Sequence, residues 1–277
     1  MMWRHVEPVS AVGVFPRERR ALLDVLAPLS DADWDRSTVC PGWAVRDIAA
    51  HLVADDLGRL SRTRDAYPRT GPRAGESVVA FIDRQNGEWV DAMRRMSPQV
   101  IVGLLEWTGD ETQRYFESLD EAALDGSVWW ATGDDPAPVW LDLGRELTER
   151  CHHQQQIRDA IGAPLLSDLA LSGAVVATLA LALPRTFRDV AAPDGTVVEL
   201  VVRGDAGGAW TVTREGTEWV LRHGSSTSPT AAAELDEDDF WRLVTKGLRA
   251  ADVEPRARLS GDEQLARRVL DMVSVIG

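Results

Sequence analysis

The sequence predicts an α+β protein, with a helical bundle over residues 1–164 and a smaller α+β domain containing an antiparallel sheet over residues 165–277. Two observations predict this division. The first part consists of long segments with apolar residues at helical spacing, and such helices bury their apolar faces against one another. After Pro164 the pattern changes to short β-branched runs separated by glycine-rich turns, which is typical of antiparallel strands.

Five long helices and no strand are predicted before residue 164. The first begins at Pro16, since proline is favoured in the first turn of a helix, and the fourth follows Ser97, a capping residue, and Pro98. The run "YPRTGPRAGES", which includes Pro68, separates the second helix from the third, and the glycine and proline of "GAP" end the fifth. The predicted helices cover about 16–29, 44–66, 76–95, 98–119 and 139–161.

The second part begins with a predicted helix over about 167–187. Three runs then indicate an antiparallel meander: "GTVVELVVRGD", "GAWTVTREG" and "EWVLRHG". The segment "DEDDFWRLVTKGL" predicts a helix whose acidic first turn suits the helix dipole. A short strand before Ser260 and a closing helix after it complete the domain.

Composition excludes some classes of protein. The chain is 44% hydrophobic, 27% charged and has a net charge of −14, which argues against a nucleic-acid partner because phosphate binding needs basic surfaces. We expect no membrane span, because no apolar run reaches the roughly 18 residues required. We expect a cytoplasmic protein, because "MMWRHVEPVS" lacks an apolar signal core. Arginine and alanine are abundant and Lys246 is the only lysine, a bias that a GC-rich, actinobacterium-like genome produces.

Two predicted bundle helices carry a candidate metal site. Glu149 and His153 are four residues apart in "ELTERCHHQQQIRDAIG" and therefore share one face of their helix, and His51 lies between Ile48 and Leu52 on the earlier helix. Two imidazoles and one carboxylate suit zinc and similar divalent ions. From spacing alone two other readings stay open: His51 is a packed core histidine, and Glu149–His153 is a surface pair.

Neighbouring residues are less suited to such a site. His152 points toward the polar face of its helix, so we expect it to be solvated. Cys40 and Cys151 are interpreted as small core residues, and two cysteines make no disulfide framework, which fits a reducing compartment. The adjacent tryptophans at 129 and 130 are interpreted as core residues or as the lining of a cleft.

Three segments together resemble a known family. "CPGWAVRDIAAHL" and "ELTERCHHQQQIRDAIG" resemble the two signatures of the DinB-like, mycothiol-dependent maleylpyruvate isomerase family. The C-terminal segment from "FWRLVTKGL" onward is similar to that family's sterol-carrier-like domain. The resemblance implies a DinB-like bundle with metal ligands at His51, Glu149 and His153, a divalent metal such as zinc, and mycothiol as cosubstrate.

The resemblance also points to residues around the metal. The family often has aspartate where this chain has Gln156, so Gln156 is expected to orient a ligand or the thiol without contributing charge. Asp55, one turn after His51, is a second candidate for this role. Arg222 and Lys246 are candidates for binding a carboxylate of the thiol or substrate, and ordinary surface charges are the alternative.

The implied function is thiol chemistry on a small electrophilic substrate. A divalent cation favours thiolate over thiol. A thiolate that adds to a double bond and leaves again gives an isomerase, and one that displaces a leaving group gives an S-transferase. Two other functions stay open: a non-catalytic metal-binding bundle, for which Gln156 is the best support, and a binding protein that uses the C-terminal domain for an apolar ligand.

Overall fold

The computed structural model of the protein describes residues 6–67 and 71–274 and has the predicted α+β class. Its helices are α1 (Phe15–Leu26), α2 (Asp31–Trp34), α3 (Val45–Arg59), α4 (Val78–Met93), α5 (Pro98–Glu117), α6 (Trp129–Thr132), α7 (Val139–Ile161), α8 (Leu169–Ala180), α9 (Leu183–Phe187), α10 (Glu237–Val244), α11 (Ala250–Val253) and α12 (Glu263–Arg268). Its strands are β1 (Leu124–Asp125), β2 (Ala137–Pro138), β3 (Val197–Arg203), β4 (Gly208–Glu215), β5 (Glu218–His223), β6 (Ala231–Asp236) and β7 (Arg258–Gly261).

The helix boundaries follow the predicted signals closely. The Ser97 side chain accepts a hydrogen bond from the Val100 backbone at 3.4 Å, with Pro98 in the first turn of α5. Gly162 has a φ of +68°, which favours glycine, and it ends α7 at the predicted place. Pro68, in the predicted break after α3, lies outside the described residues, as do the N-terminal five residues and the last three of the predicted closing helix.

The described residues within 11–120, together with residues 149–167, form one compact unit, called here the bundle unit. Within it α3 packs against α4 and α5, and α5 packs against α1. Ile48 and Leu52 of α3, Leu22 of α1, Leu105 of α5 and Ile157 of α7 belong to one apolar core. The buried face of α3 therefore points into the middle of the unit.

A buried carboxylate ties four helices of the bundle unit together. The Asp56 side chain on α3 is fully buried and accepts hydrogen bonds from Arg19 of α1 at 2.8 Å and Arg150 of α7 at 2.7 Å. It also accepts a hydrogen bond from the Thr108 hydroxyl of α5 at 2.6 Å. We call these four residues the Asp56 cluster. A buried charge is tolerated when it is paired and hydrogen-bonded in this way.

The second compact unit, called here the sheet unit, has its described residues at 6–10, 121–148 and 168–274. Its sheet has the order β5–β4–β3–β6–β7, and β3, β4 and β5 form the predicted antiparallel meander. Residues 121–148 belong to the same unit as the sheet, so α7 contributes residues to both units. The division of the sequence at residue 164 stays a prediction.

Two strand predictions need correction. The sheet is mixed and not antiparallel throughout, because β6 lies parallel to β3. The sequence of β6, "AAAELD", is rich in alanine, a weak strand former, and its pairing with β3 and β7 overrides that preference. Residues 1–164 also contain the short antiparallel pair β1–β2, whose two-residue strands are too short to show an alternating pattern.

One stretch of the described residues, 169–187, is long and apolar enough to cross a membrane by length and composition, with a mean hydropathy of 1.5. It consists of two helices, α8 and α9, and Arg185 lies in the second. About 56% of its most apolar window is buried inside the protein, as in the core helix of a soluble domain. The length and composition of residues 169–187 are therefore weak evidence for a membrane-spanning helix.

The Asp56 cluster yields a stability prediction. Replacing Asp56 with alanine leaves the Arg19 and Arg150 guanidinium groups buried without their carboxylate, so we expect the free energy of unfolding to fall by about 3–5 kcal/mol. Urea unfolding followed by tryptophan fluorescence measures the change. The control is Asp91→Asn, which removes an exposed pair with Arg94 and should leave the urea midpoint nearly unchanged. Equal, small effects of both substitutions would contradict the prediction.

Candidate metal centre

Helices α3 and α7 of the bundle unit carry the three predicted ligands. His51 lies on the buried face of α3, between Ile48 and Leu52 of the core, and is 3% exposed. Glu149 and His153 lie one turn apart on α7, with side chains 32% and 11% exposed. Each side chain therefore starts from a rigid helical backbone and not from a loop.

The turn before α3 is fixed by its own sequence. The Trp43 backbone N–H donates to the Cys40 carbonyl at 3.0 Å, and Pro41 and Gly42 occupy the two central positions of this turn. Gly42 has a φ of +77°, which a type II turn requires at its third position and which favours glycine. The turn brings the Trp43 ring to 5.3 Å from the His51 ring. The "PG" pair at residues 41 and 42 is the sequence feature that predicts this turn.

The three predicted ligands converge. The Oε1 atom of Glu149 lies 3.1 Å from Nε2 of His153 and 3.4 Å from Nε2 of His51. The two imidazole rings have centroids 4.6 Å apart and meet edge to face at 78°. One ligand atom from each residue lies within 4.8 Å of the other two. No other group of three or more His, Cys, Asp or Glu side chains within the described ranges meets the same criterion.

The donor set fits a small divalent cation. Two imidazole nitrogens and one carboxylate oxygen form a ligand set that zinc and similar ions accept in catalytic sites. Two ligands of a tetrahedral zinc ion, each about 2.0–2.1 Å from the metal, lie roughly 3.3 Å apart. The two separations between Glu149 and the imidazoles, 3.1 and 3.4 Å, are close to this value.

Opposite charges hold the three side chains together. Burial opposes a charge on His51, but the carboxylates of Asp55 and Glu149 outweigh it and raise the pKa of His51 to about 9. Burial likewise opposes the charge on Glu149, but hydrogen bonds and charge attraction from His153 and His51 hold the pKa of Glu149 well below its usual value. The site therefore favours a positive charge between the imidazoles and the carboxylate.

A second layer of side chains surrounds His153. Gln156 is 7% exposed, and its Oε1 atom lies 2.8 Å from Nδ1 of His153 and accepts a hydrogen bond from the Cys40 thiol at 3.2 Å. Its Nε2 atom lies 2.8 Å from Nε2 of His152. The expectation that His152 is solvated is therefore wrong: the side chain is half-buried and hydrogen-bonded to Gln156. His152 and Gln156 are four residues apart, a helical spacing that could have indicated this pair.

Asp55 lies beside the other imidazole. Its Oδ2 atom is 3.5 Å from Nε2 of His51, and its side chain is 30% exposed. The carboxylate thus faces the same nitrogen of His51 as Glu149 does. Its predicted role in orienting a ligand or the thiol stays a prediction.

The remaining candidates lie elsewhere. Arg222 of β5 pairs with Glu215 of β4 at 2.6 Å and is partly exposed, and Lys246 is exposed in the turn after α10. Both belong to the sheet unit, and their role in binding a carboxylate stays a prediction.

The cysteines and the paired tryptophans divide between core and surface. Cys151 is 4% exposed, as expected of a core residue, whereas Cys40 is only half-buried and contacts Gln156. Trp130 is buried and Trp129 is half exposed. Sequence reasoning therefore missed the place of Cys40 beside the candidate ligands.

Comparison with known proteins gives matches to one family. Residues 15–158 match the family model described as the mycothiol maleylpyruvate isomerase N-terminal domain. No curated protein sequence matches the chain.

Two crystal structures are similar to this chain. A mutant of the mycothiol-dependent maleylpyruvate isomerase is 12% identical, with a TM-score of 0.53 over 92% of this chain and 93% of the other. A second structure of that isomerase is 12% identical, with a TM-score of 0.51 over 86% and 88%. At this identity the likeness shows a shared fold.

The matched segment contains all three converging side chains, from His51 to His153. It also covers just over half of the 277 residues. The chain therefore belongs to the family of the mycothiol maleylpyruvate isomerase N-terminal domain.

Proposed function

We propose that this protein is an enzyme that binds one divalent metal ion at His51, Glu149 and His153. Zinc is the metal that we propose first for this ligand set. We further propose that it uses mycothiol to act on a small electrophilic substrate. One observation carries the proposal: two imidazoles and a carboxylate from two helices place their ligand atoms within 4.8 Å of one another. Family membership supports the thiol, since the model that matches this chain is that of a mycothiol-dependent isomerase domain.

The bound metal would supply the charge that favours the thiolate form of mycothiol at neutral pH. Three protein ligands leave coordination room for such a sulfur, as in catalytic zinc sites. The net charge of the metal and Glu149 is then positive, which suits an anionic thiolate. Asp55, 3.5 Å from His51 and partly exposed, is suited to orient the incoming thiol.

Within residues 6–67 and 71–274, no side chain near these ligands is a convincing nucleophile. Burial raises the pKa of the Cys40 thiol, and that thiol donates a hydrogen bond to the side-chain oxygen of Gln156. A thiol that is protonated and hydrogen-bonded is a poor nucleophile. Cys151 is buried in the interior. An external thiol therefore fits the site better than covalent catalysis by a cysteine of the protein.

Isomerisation is the outcome that the family favours. The thiolate sulfur would add to one carbon of an activated double bond, leaving a single bond about which the substrate rotates, and elimination of the thiolate would restore the double bond. An S-transferase would share the first bond-forming step and retain the carbon–sulfur bond. The free cysteines and the thiol requirement fit a reducing, mycothiol-containing actinobacterial cytoplasm.

We predict close to one equivalent of bound divalent metal in protein purified without chelators, with most of it lost in His153→Ala because two ligands hold the ion far less well than three. Elemental analysis together with competition against a chromophoric chelator measures both. His223→Ala, an exposed histidine on β5, is the control and should retain the metal. Full metal occupancy of the His153→Ala variant would contradict the proposed ligand set.

We also predict that a sulfur-to-metal charge-transfer band grows when the Co²⁺-loaded protein is titrated with mycothiol, and that glutathione produces a weaker band. The physical reason is coordination of a thiolate at the open position. If metal binds but neither thiol changes the spectrum at millimolar concentration, a non-catalytic metal-binding bundle becomes the better reading. Co-purified apolar molecules without thiol dependence would instead favour a binding protein.

A further inference from the structure

A cleft of about 410 Å³ lies between α1 and α5 of the bundle unit, and none of the three candidate metal ligands lines it. Pro16 and Leu23 of α1 contribute apolar surface to its lining, and Arg150 of α7 reaches it as well. Its volume suits a small molecule, since ligand pockets typically measure about 300–1,000 Å³.

Three buried polar atoms of residues that line the cleft have no hydrogen-bond partner among the described residues. They are Oε2 of Glu18, Nε of Arg19 and Oε1 of Gln113. Glu18 is fully buried, and Arg19 is 9% exposed. Buried polar groups are normally hydrogen-bonded, so three such atoms at one cleft point to a partner that binds there.

The guanidinium groups at the cleft are engaged elsewhere and do not serve as that partner. Arg19 donates to a backbone carbonyl of α5 at 2.9 Å and to Asp56 at 2.8 Å, and Arg150 donates to Asp56 at 2.7 Å. The stem of Arg19 is also confined by α5, because a Cβ atom at Gly109 would lie only 2.9 Å from its Cγ. A glycine inside a helix costs about 1 kcal/mol relative to alanine, and here it makes room for Arg19 in this one position.

A hydroxyl group matches the three buried atoms. It donates one hydrogen bond and accepts others, so it can serve both the side-chain oxygens and the N–H of Arg19. Burial raises the pKa of Glu18 against the attraction of Arg19 and Arg150, and a hydroxyl can pair with a carboxyl group in either protonation state. An ammonium group suits this part of the cleft less well, because it would lie beside two guanidinium groups.

The exposed part of the cleft is acidic. Asp24 of α1 and Glu106 and Asp110 of α5 line it, are exposed, and make no ion pair with the described residues. Glu106 and Asp110 are four residues apart and share one face of α5. Among the lining residues Arg20 is the one exposed cation, so three carboxylates face one guanidinium group, and this balance attracts a positive charge.

We propose that this cleft binds an amino polyol, a small molecule of the amino-sugar class with several hydroxyls and one ammonium group. The hydroxyls pair with the three buried atoms, the ammonium group lies near the exposed carboxylates, and the carbon skeleton packs on Pro16 and Leu23. The buried atoms are reached when an exposed side chain at the cleft moves aside, and Arg20, which has no partner among the described residues, is free to do so. The proposal does not rest on the metal or on the thiol.

The test compares three ligands of matched chemistry, each titrated into the full-length protein and followed by ¹H–¹⁵N correlation spectra. Glucosamine carries hydroxyls and an ammonium group, N-acetylglucosamine keeps the hydroxyls without the charge, and cyclohexylamine keeps the charge without the hydroxyls. We expect the amide signals of α1 and α5, including that of Gly109, to shift, with glucosamine binding most tightly. Its affinity should fall as salt is added, because its charged contacts are exposed.

Two variants separate the buried contacts from the exposed ones. Glu18→Met removes the carboxyl group and keeps a side chain of similar length, and it should raise the Kd about 10-fold for glucosamine and N-acetylglucosamine alike. The double variant Glu106→Gln, Asp110→Asn should raise the Kd for glucosamine about threefold and leave that for N-acetylglucosamine unchanged. Asp91→Asn removes an exposed carboxylate of α4 outside the cleft and is the control.

Circular dichroism identifies a variant that has lost its fold. If Glu18→Met is such a variant, the double variant on the exposed face of α5 decides, because it touches no buried group.

Three results would overturn the proposal. One is the absence of any shift in α1 and α5 with glucosamine at tens of millimolar, which would leave ordered water as the partner of the buried atoms. The second is equal binding of cyclohexylamine and glucosamine. The third is an equal effect of Asp91→Asn and the double variant, which would reduce the binding to a general attraction by a chain of net charge −14.

Discussion

The geometry of the candidate site depends on the buried carboxylate of Asp56. Arg19, Arg150 and Thr108 donate to it from three other helices, and this contact lies directly beside the site on each ligand-bearing helix. Asp55, which faces His51, precedes Asp56 on α3, and Glu149 precedes Arg150 on α7. Because a buried ion pair tolerates little displacement, this contact fixes how far α3 and α7 can slide along each other. The distance between His51 and Glu149 follows from it.

The turn into α3 adds a second constraint of a local kind. Its β-turn needs a residue that accepts a positive φ, and Gly42 supplies it. The same turn places Cys40 against Gln156 and Trp43 against His51. One short segment thus contacts both ligand-bearing helices of the site. The ion pairs of Asp56 with Arg19 and Arg150 set the position of the helices. The turn before α3 then covers one side of the site.

Helical periodicity made much of this predictable. The shared face of Glu149 and His153 follows from the repeat of the helix, and the glycine of "GAP" marks the end of α7. The helical wheel missed that His152 contacts Gln156, because a wheel treats each side chain as radial and ignores a partner one turn later. The parallel strand β6 was missed for a related reason, since its alanines carry little strand preference and its neighbours β3 and β7 determine its structure.

The electrostatics of the site explain why the ligands can converge before any ion binds. The carboxylates of Asp55 and Glu149 raise the pKa of His51 to about 9, so a proton on that imidazole supplies positive charge where a cation would lie. A metal ion must displace such protons, and its binding therefore exchanges one positive charge for another within a preformed set. A preformed set of this kind needs packing and hydrogen bonds to hold it. In the bundle unit that support comes from the Asp56 cluster, which lies next to the ligands and contains none of them.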